Sequence, residues 1–257
     1  MKNVAIIGYG FVGKKIHSLF KDAIYYDINP ALKGNSAAID DINKCEISIV
    51  CVDTPMKENG EANISNVEKV IGWLETPVIL IKSTVPPGTT KRLKEKYGKR
   101  IVFSPEYVGE TADHPMSDLK NRTFWIFGGN AEDTNHVISI WKENVTGTTK
   151  FYQTDETTAE MCKYMGNCFL ATKVSFCNEF NEIAKIFGVD YTELRGLFLE
   201  DPRVNRDHTH VSEEGGFSGK CLPKDLNAII AASKSKGYNP MLLEEVWKSN
   251  KRFRKDV

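Results

Sequence analysis

The segment Gly8-Tyr9-Gly10-Phe11-Val12-Gly13 constrains the fold more than any other part of the sequence. It follows a short apolar run, Val4–Ile7, and opens a stretch, Phe11–Phe20, whose apolar residues recur at three- and four-residue spacing. Glycines between a strand and a helix allow a tight turn and let backbone amides approach an anion at the helix amino terminus. The alternation continues downstream. Apolar runs at Ala23–Tyr26, Ile47–Val52, Val78–Ile81, Ile101–Phe103 and Trp125–Phe127 predict strands, and Ile64–Leu74, Thr89–Tyr97 and Ala131–Val145 predict crossover helices. This pattern specifies an α/β, Rossmann-like, doubly wound parallel sheet that ends near residue 150, with residues 1–153 as the first domain.

In this setting Gly8, Gly10, Phe11, Val12 and Gly13 are candidates to cradle a pyrophosphate. Asp27 ends the second predicted strand about 20 residues after Gly8, the position from which a carboxylate binds adenosine ribose hydroxyls and repels an added phosphate. The expected cofactor is therefore NAD rather than NADP. Lys plus Arg and Asp plus Glu both number 34, so the formal charge is zero and no general field attracts nucleic acid or an anionic membrane. An anionic ligand must be held locally. The amino-terminal apolar run is cut by glycines and by Lys14-Lys15, too short for a signal peptide or membrane span. The six cysteines form no CxxC pair and fit reduced thiols in a cytoplasmic setting. His208 and His210 lack partners at ligand spacing, so no metal is expected. The basic run Lys251–Lys255 reads as a solvated helix end.

The second half changes character. Thr157-Thr158-Ala159-Glu160 has the form of a capping box, and a helical pattern runs over residues 157–187 to a stop at Gly188. At 1.5 Å per residue this helix is roughly 45 Å long. Met161, Met165, Phe169, Phe176, Phe180 and Phe187 give it more apolar surface than a small domain covers, which predicts a second subunit against it. An irregular segment, Asp201 to Lys220, separates it from a helix opened by Pro223 and running to Ser233. Asn239-Pro240 starts a last helix, completing an all-helical domain over residues 154–257.

Candidate chemistry is distributed along this frame. Cys221 precedes a helix amino terminus between Lys220 and Lys224, where a thiolate is favoured; the alternative is an inert buried cysteine. Asp225 lies four residues on, and Gly216, Phe217 and Gly219 precede it in a stretch open to close ligand approach. Lys163 and Asn167 share one face of the long helix, roughly opposite Met161 and Met165; a solvated face is the alternative. Thr84 follows the fourth predicted strand, and Glu106 and Glu110 follow the fifth, all on the ligand side of an open sheet. Capping by Thr84 and plain surface charge for the glutamates are their alternatives.

Taken together these segments resemble the UDP-glucose/GDP-mannose dehydrogenase family over nearly the whole chain. The resemblance rests on the glycine turn, Ser83-Thr84-Val85-Pro86, Ser104-Pro105-Glu106, Ala159-Glu160-Met161-Cys162-Lys163-Tyr164 with Asn167 and Asn178-Glu179, Asp201-Pro202-Arg203, and Cys221-Leu222-Pro223-Lys224-Asp225. It implies NAD-dependent oxidation of the primary alcohol of a nucleotide sugar, with UDP-glucose the leading candidate beside UDP-N-acetylmannosamine and GDP-mannose. It assigns Cys221 as the nucleophile that carries a thiohemiacetal and then a thioester. Lys163 and Asn167 would stabilise developing oxyanion charge, and Asp225 would position the lysine and water. Glu106 would handle protons at the hydrolytic step, with Thr84 holding the water. Thr54, Thr84 and Glu110 would join the glycine loop and Asp27 at the cofactor. Glu106, Lys163, Asn167, Arg203, Gly216, Phe217 and Gly219 would contact the substrate, and the long helix would build a homodimer.

Several positions depart from the family pattern. Ser218 stands in place of a glycine, Glu213-Glu214 in place of a common Pro-Gly, and Asp53 in place of a common proline. Family chains continue into a further sheet domain that holds much of the nucleotide, and the last helix here resembles the connector leading to it. Two other readings remain at this stage. One is an NAD-dependent dehydrogenase of a smaller hydroxy acid, for which Cys221 would be dispensable. The other is an NAD-binding dimeric subunit without turnover.

Overall fold

The computed structural model describes residues 3–33, 36–109 and 116–254. It divides into two compact units, one made of Met1–Pro55 with Ala62–Lys163 and the other of Met56–Glu61 with Tyr164–Val257. No helix among the described residues is long and apolar enough to cross a membrane.

The first unit is built on a seven-stranded sheet in the order β2-β1-β3-β4-β5-β6-β7. Its strands are β1 Val4–Ile7, β2 Ile24–Tyr26, β3 Ile47–Val50, β4 Val78–Ile81, β5 Ile101–Phe103, β6 Phe124–Gly128 and β7 Lys150–Thr154. Every pairing is parallel except β5 with β6, which meet antiparallel at Phe103 and Gly128. Successive side chains of a strand leave on opposite faces, and the core follows that parity. Val4, Ile6, Ile47, Ile49, Val78 and Leu80 pack with helices α1 (Phe11–Leu19) and α6 (Ala131–Lys142). Ala5, Ile7, Val50, Ile79 and Ile81 pack on the other face with α3 (Ile39–Ile42), α4 (Ser65–Trp73) and α5 (Thr89–Tyr97). A short helix, α2 (Pro30–Lys33), follows β2. The chain moves outward from β1 to β2 and then crosses to β3 on the other side, so the switch point lies between the carboxyl ends of β1 and β3.

β7 was not among the predicted strands. Its sequence, Lys-Phe-Tyr-Gln-Thr, contains no buried residue and lies at the sheet edge, so it lacks the apolar run that marks the central strands. The long helix α7 spans Glu156–Ile186. The capping box does not form. Asp155 caps the helix instead, accepting the Thr158 N–H at 2.9 Å and the Thr158 hydroxyl at 2.6 Å. Glu160 is drawn away to the amides of Gly88 at 2.5 Å and Thr90 at 2.8 Å, at the start of α5. Those bonds and the Lys94–Glu156 ion pair tie the first turns of α7 to the sheet unit, so the division between units falls after Lys163, inside the helix rather than ahead of it.

The second unit contains the rest of α7 with α8 (Tyr191–Phe198), α9 (Leu222–Ser235) and α10 (Met241–Phe253). Its core joins Cys168, Ala171 and Val174 of α7 to Phe217, Leu226, Ile230 and Val246. Gly188 follows α7 with φ 70°, in the left-handed region that suits a helix stop. On α7 of this unit Met165, Phe169, Phe176, Phe180 and Ile186 remain exposed.

Candidate active site

In the first unit the glycine loop has the geometry its sequence requires. Gly8 adopts φ +90°, and a Cβ there would lie 2.9 Å from the main chain of Cys51 and Val52, at the neighbouring strand end. A Cβ on Gly13 would stand 2.0 Å from the Gly8 carbonyl oxygen, so only glycine lets α1 approach its strand this closely. Gly10 is the amino-terminal cap of α1 and faces open space, leaving the amides of the first turn, at Phe11 and Val12, accessible to an anion. Asp27 stands beyond the end of β2 and accepts the Tyr9 N–H at 2.6 Å through Oδ2 and the Asn29 N–H at 2.7 Å through Oδ1. These bonds fix the carboxylate beside the loop while leaving oxygen lone pairs for ribose hydroxyls. The Tyr9 ring stacks on Tyr25 at 3.8 Å, and its hydroxyl bonds His17. Thr54 is buried beyond β3 and donates its hydroxyl to the Thr84 carbonyl at 2.8 Å, joining the β3 and β4 loops. Thr84 does not cap α5, since Gly88 occupies that position. An adenine dinucleotide fits this donor set.

Glu106 enters a buried ionic cluster. Its carboxylate lies 3.1 Å from Lys82 Nζ and 2.7 Å from an Arg122 nitrogen, and it accepts the N–H groups of Tyr107 at 2.8 Å and Val108 at 2.9 Å. Lys82 also donates to Ser104 Oγ at 3.1 Å and to the Pro105 carbonyl at 3.2 Å. Arg122 reaches the Met116 carbonyl at 3.0 Å, and both cations lie over the Trp125 ring, at 4.8 and 4.3 Å. Burial alone would push the Glu106 carboxyl up, but the Lys82 and Arg122 charges outweigh it and hold the group at about 2. Burial in turn lowers the Lys82 ammonium from its ordinary value, with Glu106 opposing. Glu106 is therefore a fixed anion at neutral pH. Glu110 lies outside the described residues.

Lys163, 8 % exposed on α7, points its ammonium at the Tyr107 ring, 5.3 Å from the centroid. Burial lifts the Tyr107 hydroxyl to about 12, so the ring faces Lys163 as a neutral phenol. The solvated-face alternative for Lys163 and Asn167 is thus excluded: Asn167 is 6 % exposed.

In the second unit Asn167 donates its Nδ2 to Asp225 Oδ2 at 2.5 Å, and Lys224 Nζ donates to Asp225 Oδ1 at 2.5 Å. Asp225 is 1 % exposed on the first turn of α9, where helix polarity favours an anion. Its N–H closes the turn on the Cys221 carbonyl at 2.9 Å. Cys221 is the exposed amino-terminal cap of α9, preceded by Gly219 with φ +81°. Asp225 and burial together hold the nearby Cys168 thiol up, at about 12, with burial the larger cause. The helix start thus brings together one exposed thiol, a buried carboxylate and an amide.

Of the predicted substrate residues, Phe217 is turned into the core, while Arg203 stays on the surface. The Phe217 ring is in the core beside Trp247, and both its backbone polar groups are bound by Asn250. Arg203 is exposed and forks onto Asp201, with bonds of 2.9, 3.1 and 2.5 Å. Sequence reasoning missed Lys82 and Arg122 as the partners of Glu106, and it missed Asn250 altogether. Only Lys82, immediately ahead of the noted Ser83-Thr84 segment, offered a signal.

Comparison with known proteins decides the family. Residues 27–144 match the NAD binding domain of the UDP-glucose/GDP-mannose dehydrogenase family, and residues 157–252 match its central domain. The chain belongs to the UDP-glucose/GDP-mannose dehydrogenase family. A GDP-mannose 6-dehydrogenase of Pseudomonas savastanoi pv. phaseolicola is 29 % identical over 238 residues, covering 85 % of this chain and 53 % of the relative. A UDP-glucose 6-dehydrogenase of Rickettsia bellii is 30 % identical over 249 residues, covering 92 % and 56 %. The chain spans about half the length of these curated relatives. The solved structure of a UDP-glucose dehydrogenase from the archaeon Pyrobaculum islandicum superposes with a TM-score of 0.85 at 23 % identity, over 98 % of this chain and 68 % of that one. This likeness establishes the fold: a Rossmann-like sheet followed by helices. The matched family domain makes NAD the cofactor of the first unit.

Proposed function

We propose that this chain carries the catalytic half of an NAD-dependent nucleotide-sugar 6-dehydrogenase, with UDP-glucose the leading substrate and UDP-glucuronate the product. The observation that carries the reading is the pairing of an exposed cysteine at the cap of α9 with a buried Asn167–Asp225 bond one turn further on. A dehydrogenase that only interconverts an alcohol and a carbonyl has no use for such a thiol.

Bound NAD supplies the hydride acceptor for each oxidation. Gly8, Gly10 and Gly13, with the amides of Phe11 and Val12, hold the pyrophosphate, Asp27 takes the ribose hydroxyls, and Thr54 and Thr84 line the strand ends beside them. Glu110 joins this set by resemblance. Cys221 adds through its sulfur to the aldehyde of the first oxidation, forming a thiohemiacetal. Loss of a second hydride together with the hydroxyl proton leaves a thioester, which water cleaves to the carboxylic acid and the free thiol. By the family resemblance Lys163 and Asn167 would stabilise the tetrahedral oxygen, where charge appears only at the transition state. Asp225 holds Asn167 in place and orients water. Glu106 stands as a negative charge in the wall beside Tyr107 and Val108. Arg203, Gly216 and Gly219 lie on the loop that leads to the thiol and take the diphosphate side. Phe217 supports that loop from the core.

The apolar side chains left exposed on α7, among them Met165, Phe169 and Phe176, support a homodimer through this helix. The test is NADH formation with NAD and a panel of UDP-glucose, UDP-N-acetylmannosamine, GDP-mannose and simple hydroxy acids. Turnover confined to a nucleotide sugar supports the reading. Turnover of a hydroxy acid alone, undiminished in Cys221→Ala, overturns it.

A further inference from the structure

Asn250, on α10, is 2 % exposed and spends its whole amide on one residue of the cysteine loop. Its Oδ1 accepts the Phe217 N–H at 2.6 Å and its Nδ2 donates to the Phe217 carbonyl at 3.0 Å. Asn178, buried on α7, accepts the neighbouring Gly216 N–H at 3.0 Å through Oδ1 and anchors its own Nδ2 on the Val174 carbonyl at 2.8 Å. Two amides from two helices thus hold consecutive peptide groups. An amide alone offers a donor and an acceptor side by side, the complement of one residue's N–H and C=O; a carboxylate has only acceptors and an alkyl group neither.

The packing around the clamp is equally tight. Gly215 and Gly216 adopt φ 68° and 57°, and a Cβ on either would come within 2.4 Å of the Phe253 carbonyl oxygen or of Asn250 Oδ1. The Phe217 ring is locked into the core, and the run to the cap of α9 is completed by Gly219 with φ +81°. A short glycine-rich run is intrinsically loose, so its geometry is set by what holds its ends. One end here is Cys221, fixed by α9, and the other is the Asn178–Asn250 clamp.

We infer that Asn250 and Asn178 are positioning residues that hold the loop 215–221 and so set where the Cys221 thiol stands relative to Asn167 and Asp225. The catalytic consequence rests on the dehydrogenase reading above; the mechanical one does not. The test compares Asn250→Ala and Asn178→Ala with Val137→Ala, a control that opens a cavity in the core of the sheet unit, in a cluster that contains no residue of the loop. Amide hydrogen exchange in 215–221 is expected to speed up about tenfold in each asparagine variant, the effect of one lost hydrogen bond, and to stay within twofold of the parent in the control. With NAD and a nucleotide sugar, kcat is expected to fall tenfold or more in the asparagine variants with KM for NAD unchanged, while the control keeps kcat within twofold. If Asn250→Ala does not fold, Asn178→Ala, which removes a single bond to the loop, carries both measurements. Exchange that rises equally in all three variants, or a control that loses as much kcat, overturns the inference. If the parent oxidises no nucleotide sugar, the dehydrogenase reading fails, and the exchange comparison alone decides the clamp.

Discussion

Replacing Glu106 by Gln removes one charge from a buried cluster that holds two opposing ones. The glutamine keeps the shape and can still accept from the Tyr107 and Val108 amides, but Lys82 and Arg122 then face each other without a counter-ion. A carboxyl that titrates at about 2 in the fold and at 4.5 in the unfolded chain stabilises the fold by about 3 kcal/mol at neutral pH. Because the folded value is the lower one, this stability is present above about pH 4.5 and is lost as the pH falls toward 2. Breaking a buried pair from one side costs about 3–5 kcal/mol, so that is the expected loss in Glu106→Gln at pH 7. At pH 3 the unfolded carboxyl is mostly protonated, and the gap between parent and variant narrows by about 2 kcal/mol. Urea unfolding followed by tryptophan fluorescence measures both, since Trp125 lies directly against Lys82 and Arg122. A loss below about 1 kcal/mol at pH 7, or a gap that does not change with pH, would refute the cluster as described.

Glu160 has the opposite sign: burial, the largest effect, lifts it to about 7 against the bonds from Thr90 and Gly88. The folded value being raised, its contribution falls as the pH rises from about 4.5 to 7, by about 3 kcal/mol in all, and thermal unfolding of Glu160→Gln between pH 5 and 7.5 should lack that slope. Asp27→Ala should weaken NAD about tenfold or more by calorimetry while leaving nucleotide-sugar affinity unchanged; an equal loss of both would contradict the ribose assignment. Phe169→Glu on α7 should convert a dimer to a monomer in sedimentation, and a parent chain that sediments as a monomer would refute the subunit interface.

The sheet was legible because its central strands are buried on both faces and so read as continuous apolar runs, as in Ile47–Val50 and Val78–Ile81. β7 was not, because an edge strand needs no such run and Lys150–Thr154 has none. The glycine loop could be read because it obeys a backbone rule that only glycine satisfies at Gly8 and Gly13, and Asp27 because a carboxylate about 20 residues further on follows the loop's spacing. The capping-box reading of Thr157 failed because Glu160 has a stronger attraction elsewhere, two amides at the start of α5 that are near only after folding. The same holds for Glu106: no local pattern announces that Lys82 and Arg122, from other parts of the chain, will converge on it. Asn250 was invisible for a like reason, since a lone asparagine in an amphipathic helix looks like any polar residue until its partner loop is in place.

The most direct test of the covalent account is the ratio of NADH formed to nucleotide sugar consumed, measured at completion for the parent and for Cys221→Ala. The account predicts two NADH per sugar for the parent, and at most one for the variant, which has no thiol to carry the aldehyde into the second oxidation. One NADH per sugar in the parent, or two in Cys221→Ala, would contradict it.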